Sequence, residues 1–576
     1  MPQTKLPGTI IKSGLRIGTA RKVHAPQWKI ANPAITPAEV DTELATLQKA
    51  LQIAGSDIQA HLDSFQGSKE EKEILNSHLL ILQDPDLIAT LRQSISSGMQ
   101  SAARAVESSF ALITRDFKSL ANDFFAQRYA DYKDVEQRLL AILTGQGADL
   151  LENWLPEQIA ILSDVTPSQI SDFTRHHVAA YCTDHGSYTS HASILTRSSN
   201  IIALTGLPDL YNHVEDGDAI ILDAIEGCVI LAPDQQTIQL YHDLQDKYLQ
   251  QQADELSDHD LPIQTLQGRR IKLRCNLDLL TELDLPAALG ADGIGLYRTE
   301  FLYLGKAELP SENLQYEIYR EVAQRVAPHS VTIRSFDLGG DKLSHLIPAP
   351  VEENPYLGCR GIRFSLSQPE IFRTQIRAVL RASNYGRIKL MFPMVTDLKD
   401  FLIARDIVTQ CRQELLSEGY QLPDCLPLGV MIEIPSAALS AGELAQHCDF
   451  FSIGTNDLVQ YTLAADRNNS ALAPYYTTHH PAVLQLLKLT LDAARKGNIP
   501  VSVCGEMASQ PEYLPLLIGM GFSDLSVGTA SFSHCKSIIL RCDAELESLV
   551  GKSNYTGSLN EAEELIFNRL KPYYQH

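Results

Sequence analysis

Apolar positions in the first quarter of the chain recur mostly at helical spacing, and beyond it they recur in short runs. Thr9-Ile10-Ile11 and Leu15-Arg16-Ile17-Gly18 read as short strands. Thr36 then stands as a candidate N-cap, with Glu39 completing a capping box. Val40, Leu44, Leu47 and Leu51 follow on one helical face. The pattern continues to about Leu143, with breaks predicted near Ser56, near Asp84-Pro85-Asp86 and near Ser96-Ser97-Gly98. Residues 36–145 therefore read as a helical bundle or a pair of long helical hairpins.

After Gly145-Gln146-Gly147 the texture changes. Ile159–Leu162, Val178–Tyr181, Ile201–Leu204 and Ala219–Leu222 are short apolar runs separated by turns or helical stretches, which predicts an α/β unit built from residues 1–35 and 146–233. Residues 234–262, rich in Gln and Asp with helically spaced leucines, predict a linker helix. From 263 to 576 strands alternate with helices: Ile271–Asn276, Gly293–Tyr297, Val331–Ser335, Ile388–Pro393, Leu428–Ile434, Phe450–Gly454, Pro500–Cys504 and Asp524–Val527. Eight such strands predict a (β/α)8 barrel, whose chemistry belongs at the C-terminal strand ends. The fold class expected is multidomain α/β, a helical bundle inserted in an α/β domain and a barrel after it.

Composition narrows the classes. A chain of 576 residues is too long for one core. A net charge of −22 argues against nucleic acid as a partner. No apolar run reaches the roughly 18–20 residues of a membrane helix, and no apolar signal core follows Met1, so a cytoplasmic location without membrane insertion is expected. The ten cysteines form no C-x-x-C pair, which removes zinc ribbons and thioredoxin-type chemistry and predicts buried, reduced thiols.

Two places carry candidate chemistry. At the barrel strand ends stand Arg298, Arg334 and Arg467, Glu433 and Asp457, Asn456 and Cys504. Guanidinium forks match phosphate and carboxylate oxygens. Two carboxylates without Cys or His ligands suit a hard ion such as Mg²⁺, and a lone thiol could donate a proton. The set fits a small phosphorylated acid; the alternative is that the arginines form structural ion pairs with Glu300, Asp337 or Glu433. The second place is Thr183 to Arg197, where a Gly-Ser-Tyr-Thr-Ser turn leads into a helix beginning near His191. A helix N-terminus favours bound phosphate, with Thr189, Ser190 and Arg197 placed to orient it.

These segments resemble Enzyme I, the phosphoenolpyruvate–protein phosphotransferase family of bacteria. The resemblance rests on Gly186 to Arg197 around His191, Asp164 to Ser168, Gly293 to Leu302, Arg334 to Lys342, Glu353 to Arg363, Met431 to Ala437, Phe451 to Leu458, Asp466-Arg467 and Val503 to Glu506. It implies that His191 becomes phosphorylated from phosphoenolpyruvate and passes the group to a carrier, HPr or HPr-like, in sugar uptake or its regulatory branch. It implies that residues 1–35 and 146–233 form the phosphohistidine domain and 36–145 the carrier-binding domain. It further implies that Arg298, Arg334, Arg467, Asn456 and Asp457 bind phosphoenolpyruvate. Glu433 and Asp457 would hold Mg²⁺, Cys504 protonate the enolate, and Thr166, Thr189, Ser190 and Arg360 support. Homodimers through the barrel are implied as well. Ser187 and Tyr188 depart from the family's Gly and Arg, and Lys12 to Gly18 lacks its usual proline. Rival readings are phosphoenolpyruvate synthases and dikinases, whose ATP-binding domain residues 1–150 are too short to supply, and a regulator that binds phosphoenolpyruvate or a carrier without turnover.

Overall fold

Short β-branched runs pair into sheets where they alternate with turns, and the long amphipathic stretch between the second and third of the predicted runs stays helical. The computed structural model describes all residues except 1–2, 25–27, 29, 31–33, 65–68, 119–122, 146–150, 152, 187–189, 279, 304–307, 340–351, 468 and 575–576. It divides into two units, Met1–Leu249 and Gln250–His576.

In the first unit, strands β1 (Thr4–Pro7), β2 (Thr9–Lys12), β3 (Leu15–Lys22), β4 (Gln158–Leu162), β5 (Ala180–Thr183), β6 (Ile202–Thr205), β7 (Ala219–Asp223) and β8 (Cys228–Leu231) form one sheet in the order β1-β8-β7-β3-β4-β5-β6-β2. β3, β4, β5 and β6 run parallel, and the outer pairings are antiparallel. β1 and β8 were not foreseen. The first is polar, exposed and ends in proline, which suits an edge strand; the second has only four residues.

Between β3 and β4 the chain makes helices α1 (Val40–Ser64), α2 (Lys69–Leu82), α3 (Pro85–Ser96), α4 (Ala102–Lys118) and α5 (Asp123–Thr144). Leu47, Ala54, Ile58, Leu91, Ile95, Val106, Phe110, Val135 and Leu139 form their common core. The expected break at Asp84-Pro85 is present: Asp84 caps α3 by accepting from the N–H of Asp86 and Leu87, and Pro85 takes the first helical position. The expected break near Ser56 is not. α1 runs straight through it because Leu47, Ala50, Ala54 and Ile58 are buried along one face. A helical glycine such as Gly55 costs only about 1 kcal/mol against alanine. Of the capping box, the Glu39 carboxylate accepts from the Thr36 backbone N–H (2.8 Å) and hydroxyl (2.7 Å), while the Glu39 N–H goes to the Thr36 carbonyl.

In the second unit, β9 (Lys272–Leu277), β10 (Gly293–Tyr297), β11 (Ser330–Arg334), β12 (Arg387–Phe392), β13 (Leu428–Ile432), β14 (Phe450–Ile453), β15 (Val501–Val503) and β16 (Asp524–Gly528) close into a barrel, every pair parallel. All eight predicted strands are there, within two residues of their expected ends. A large apolar core lies between strands and helices, and a small cluster of Leu296, Met391, Met431, Phe450 and Cys504 stands apart from it. Among the described residues, no helix is long and apolar enough to cross a membrane.

Candidate active sites on two units

The first site lies where β5 hands over to a helix, beyond the C-terminal end of a parallel strand. Helix α6 (Pro167–Arg175) follows β4, and α7 (His191–Ser198) follows β5. Ser190 caps α7, its hydroxyl accepting from the Ser193 N–H at 3.2 Å, so His191 is the first helical residue. Thr189 lies outside the described residues. Thr166 caps α6 in a reciprocal box with Gln169; among the described residues its hydroxyl makes no hydrogen bond to His191.

The partner of His191 is instead Asp131 of α5, whose Oδ1 is 2.8 Å from Nδ1. The same oxygen is 3.2 Å from His78 Nε2, and His78 Nδ1 is 3.3 Å from Asp134 Oδ2. Asp134 accepts in turn from the Ser168 hydroxyl at 2.6 Å, and Arg138 donates to that hydroxyl at 2.9 Å. The side chains of Asp131, His78 and Asp134 are almost fully buried, whereas that of His191 keeps about a fifth of its surface (21 %). Burial raises the Asp131 carboxyl, but hydrogen bonds from His191 and His78 outweigh it and hold the group at about 2. Sequence reasoning missed this chain. The one signal was that Asp131 and Asp134 sit on the same stripe of α5 as Val135 and Leu139, at positions where a core residue is expected.

The second site is the mouth of the barrel. Arg298 follows β10, Arg334 ends β11, Glu433 follows β13, Asn456 and Asp457 open the helix after β14, and Cys504 follows β15. Arg334 and Arg360, both buried, converge on Asp337: Arg334 Nη1 is 3.2 Å and Arg360 Nη2 2.5 Å from Oδ2. Arg334 also donates to Glu300 at 2.9 Å. Arg360 reaches Asp457 at 3.4 Å, and Arg467 stands 3.8 Å from its other oxygen. Arg298 is more open and grips Asp278 through both carboxylate oxygens, at 3.1 and 3.0 Å. The ion-pair alternative is thus present for Arg334, with Glu300 and Asp337. The same arginine still has a buried Nε without a hydrogen-bond partner among the described residues, and Glu300 a buried Oε2.

Asn456 accepts from the Glu506 N–H at 2.8 Å, which fixes its amide at the mouth. Cys504 is buried, with its sulfur 3.5 Å from the Ile453 carbonyl. Burial pushes its thiol up to about 11, so it holds its proton at neutral pH and can act as an acid. Glu433 is also buried; burial first, then Asp457 and Asp337, push its carboxyl upward. Among the described residues no cluster of three or more His, Cys, Asp or Glu is arranged for a metal. Two oxygen donors, with other positions left to substrate and water, fit Mg²⁺ rather than zinc. Gly454 makes room for this pair, since a Cβ there would stand 2.8 Å from Glu433 Oε2.

Three family models of phosphoenolpyruvate-utilising enzymes match the chain: the N-terminal domain over residues 7–128, the mobile domain over 155–227 and the phosphoenolpyruvate-binding domain over 252–544. The phosphoenolpyruvate-protein phosphotransferase of Listeria monocytogenes serovar 1/2a is 34 % identical over 98 % of each chain. That of Latilactobacillus sakei is 36 % identical over 99 % of this chain and 100 % of its own. A solution structure of an Enzyme I protein (nEIt) is 30 % identical and covers 42 % of this chain and 99 % of that one, at a TM-score of 0.34. The class is that of the phosphoenolpyruvate-utilising enzymes. Within it, the chain belongs to the phosphoenolpyruvate-protein phosphotransferase family, as its motifs led one to expect.

Proposed function

We propose that this chain moves a phosphoryl group from phosphoenolpyruvate to His191 and from there to the histidine of a small HPr-type carrier protein. The observation that carries the reading is the barrel mouth, where buried Arg334 and Arg360, Arg298, two carboxylates and a protonated thiol gather at the C-terminal ends of the strands. Arg298, Arg334 and Arg467, with Asn456 and the Asp457 backbone, hold the phosphate and carboxylate of phosphoenolpyruvate, and Arg360 locks Asp337 and Asp457 in place. Glu433 and Asp457 would hold Mg²⁺, which when bound supplies positive charge to the phosphoryl oxygens.

A carboxylate only accepts, so Asp131 takes the Nδ1–H of His191 and leaves the Nε2 lone pair as nucleophile. Nε2 forms the N–P bond as the enol P–O bond breaks. The enolate then takes the proton of Cys504, giving pyruvate. In the second transfer the carrier's histidine nitrogen displaces His191 from phosphorus. Each cycle requires the histidine to meet first the mouth and then the carrier, for which α1 to α5 offer the docking face. The reading includes a cytoplasmic location and a homodimer paired through the barrel.

Incubation with Mg²⁺ and phosphoenolpyruvate labelled on phosphate tests it. Acid-labile, base-stable label is expected on the wild type and none on His191→Ala; an unlabelled, folded wild type would leave only a binding protein. Gly454→Ala, which crowds Glu433 without straining the backbone, is expected to raise the Mg²⁺ concentration for half-maximal labelling by about tenfold or more. A Mg²⁺ titration of label formation checks this.

A further inference from the structure

The end of the barrel opposite the mouth carries a second concavity. At the N-terminal ends of β9 to β13, Lys272, Arg274, His329, Arg387, Lys389 and Cys425 are among the residues lining a cavity of about 540 Å³. That is within the roughly 300–1,000 Å³ of small-molecule sites. Asp292 also lines it, and Asp524 pairs with Arg274 beside it. Both carboxylates are engaged: Asp292 by Arg270 at 2.6 Å and Asp524 by Arg274 at 2.8 Å. Lys272, Arg387 and Lys389 are left without an ion pair among the described residues.

Lys389 is the most telling of the three. It is half-buried, its ammonium 5.2 Å from the centre of the Phe450 ring. Burial, and then the positive charges of Arg274 and Lys272, pull its titration down, outweighing the opposing pull of Asp524. A cation withdrawn from water costs free energy unless an anion compensates it. Lysines that merely solvate a surface stand apart on convex ground. Here they converge on a hollow, in a chain whose net charge is −22.

We propose that this cavity binds a small multivalent oxyanion, bearing phosphate or carboxylate groups, through Lys272, Arg387 and Lys389. The site is separate from the mouth and does not depend on the reaction assigned there. Cys425 supplies a local reporter, as the one exposed thiol of the ten; Cys359 is partly exposed and the rest are buried.

Alkylation of Cys425 by iodoacetamide, followed by mass spectrometry with Cys359 as internal reference, tests the proposal with pyrophosphate and citrate as separate probes. Occupancy slows the reaction by 1 + [L]/Kd, about fivefold at four times Kd. Protection is expected from at least one probe beyond that of chloride at equal ionic strength, and which one protects distinguishes phosphate from carboxylate recognition. It is expected to vanish in Lys272→Gln/Arg387→Gln, two exposed positions, with the unliganded Tm unchanged. No protection beyond chloride by either probe, or equal protection in the double variant, would overturn the proposal.

Discussion

Asp131→Asn is expected to slow phosphorylation of His191 by about 10⁴-fold, the scale on which a histidine held in the wrong tautomer loses catalysis. The carboxylate can only accept at Nδ1, 2.8 Å away, and so keeps the reactive lone pair on Nε2. An amide can turn its NH₂ toward Nδ1 instead, which moves the ring proton to Nε2 and removes the nucleophile. Rapid-quench measurement of label incorporation reads the effect; an unchanged rate would make Asp131 a purely structural residue.

The same variant has a pH signature. Asp131 is held at about 2 from an ordinary 3.8. A depressed carboxyl contributes stability above its unfolded value and loses it as pH falls through the folded one. The contribution is on the order of 2 kcal/mol above pH ~4, fading toward pH ~2. Acid unfolding of the first unit is therefore expected to begin at higher pH in the wild type relative to its own neutral stability, and the limb between these values should flatten in Asp131→Asn. Circular dichroism across that range checks it.

The second large effect separates two arginines that sequence alone presents as equals. Arg334→Ala removes a buried guanidinium from between Glu300 and Asp337, leaving two carboxylates in low dielectric without that cation. A loss of about 3–5 kcal/mol from the barrel is expected, together with loss of labelling. Arg298 has a side chain 38 % exposed and, among the described residues, one carboxylate partner. Arg298→Ala is expected to cost less than about 1 kcal/mol while labelling still falls steeply. Urea titration of both variants beside the labelling assay distinguishes them. Equal stability losses would mean that the buried network does not hold the mouth together.

The barrel was legible strand by strand because each strand is an apolar run with turn residues after it. Arg298, Arg334, Glu433 and Cys504 were legible because they sit within a residue or so of those ends. What local pattern could not reveal is the company these groups keep. Asp278 grips Arg298 from another strand's end. Asp131 comes to His191 from a helix 60 positions earlier in the chain, and His78 from farther still. Periodicity describes one element at a time, whereas a buried aspartate is recognised only when the helix facing it is in view. Helix α1 shows the opposite failure: local polarity at Gly55-Ser56 predicted a break that packing on its inner face overrides.

The placement of the helical insertion has a consequence for how the chain is made. β3 lies in the middle of the sheet, and its two neighbours, β4 and β7, both come after the inserted helices. At roughly 5–20 residues per second during synthesis, β3 leaves the ribosome on the order of ten seconds before either neighbour exists. In that interval both of its edges are open to strands of other nascent chains. Its sequence, Leu-Arg-Ile-Gly-Thr-Ala-Arg-Lys, carries three positive charges and a glycine in eight residues, the composition that discourages edge-to-edge aggregation. Arg16, Arg21 and Lys22 thus guard the strand during translation, a duty finished once β4 and β7 arrive.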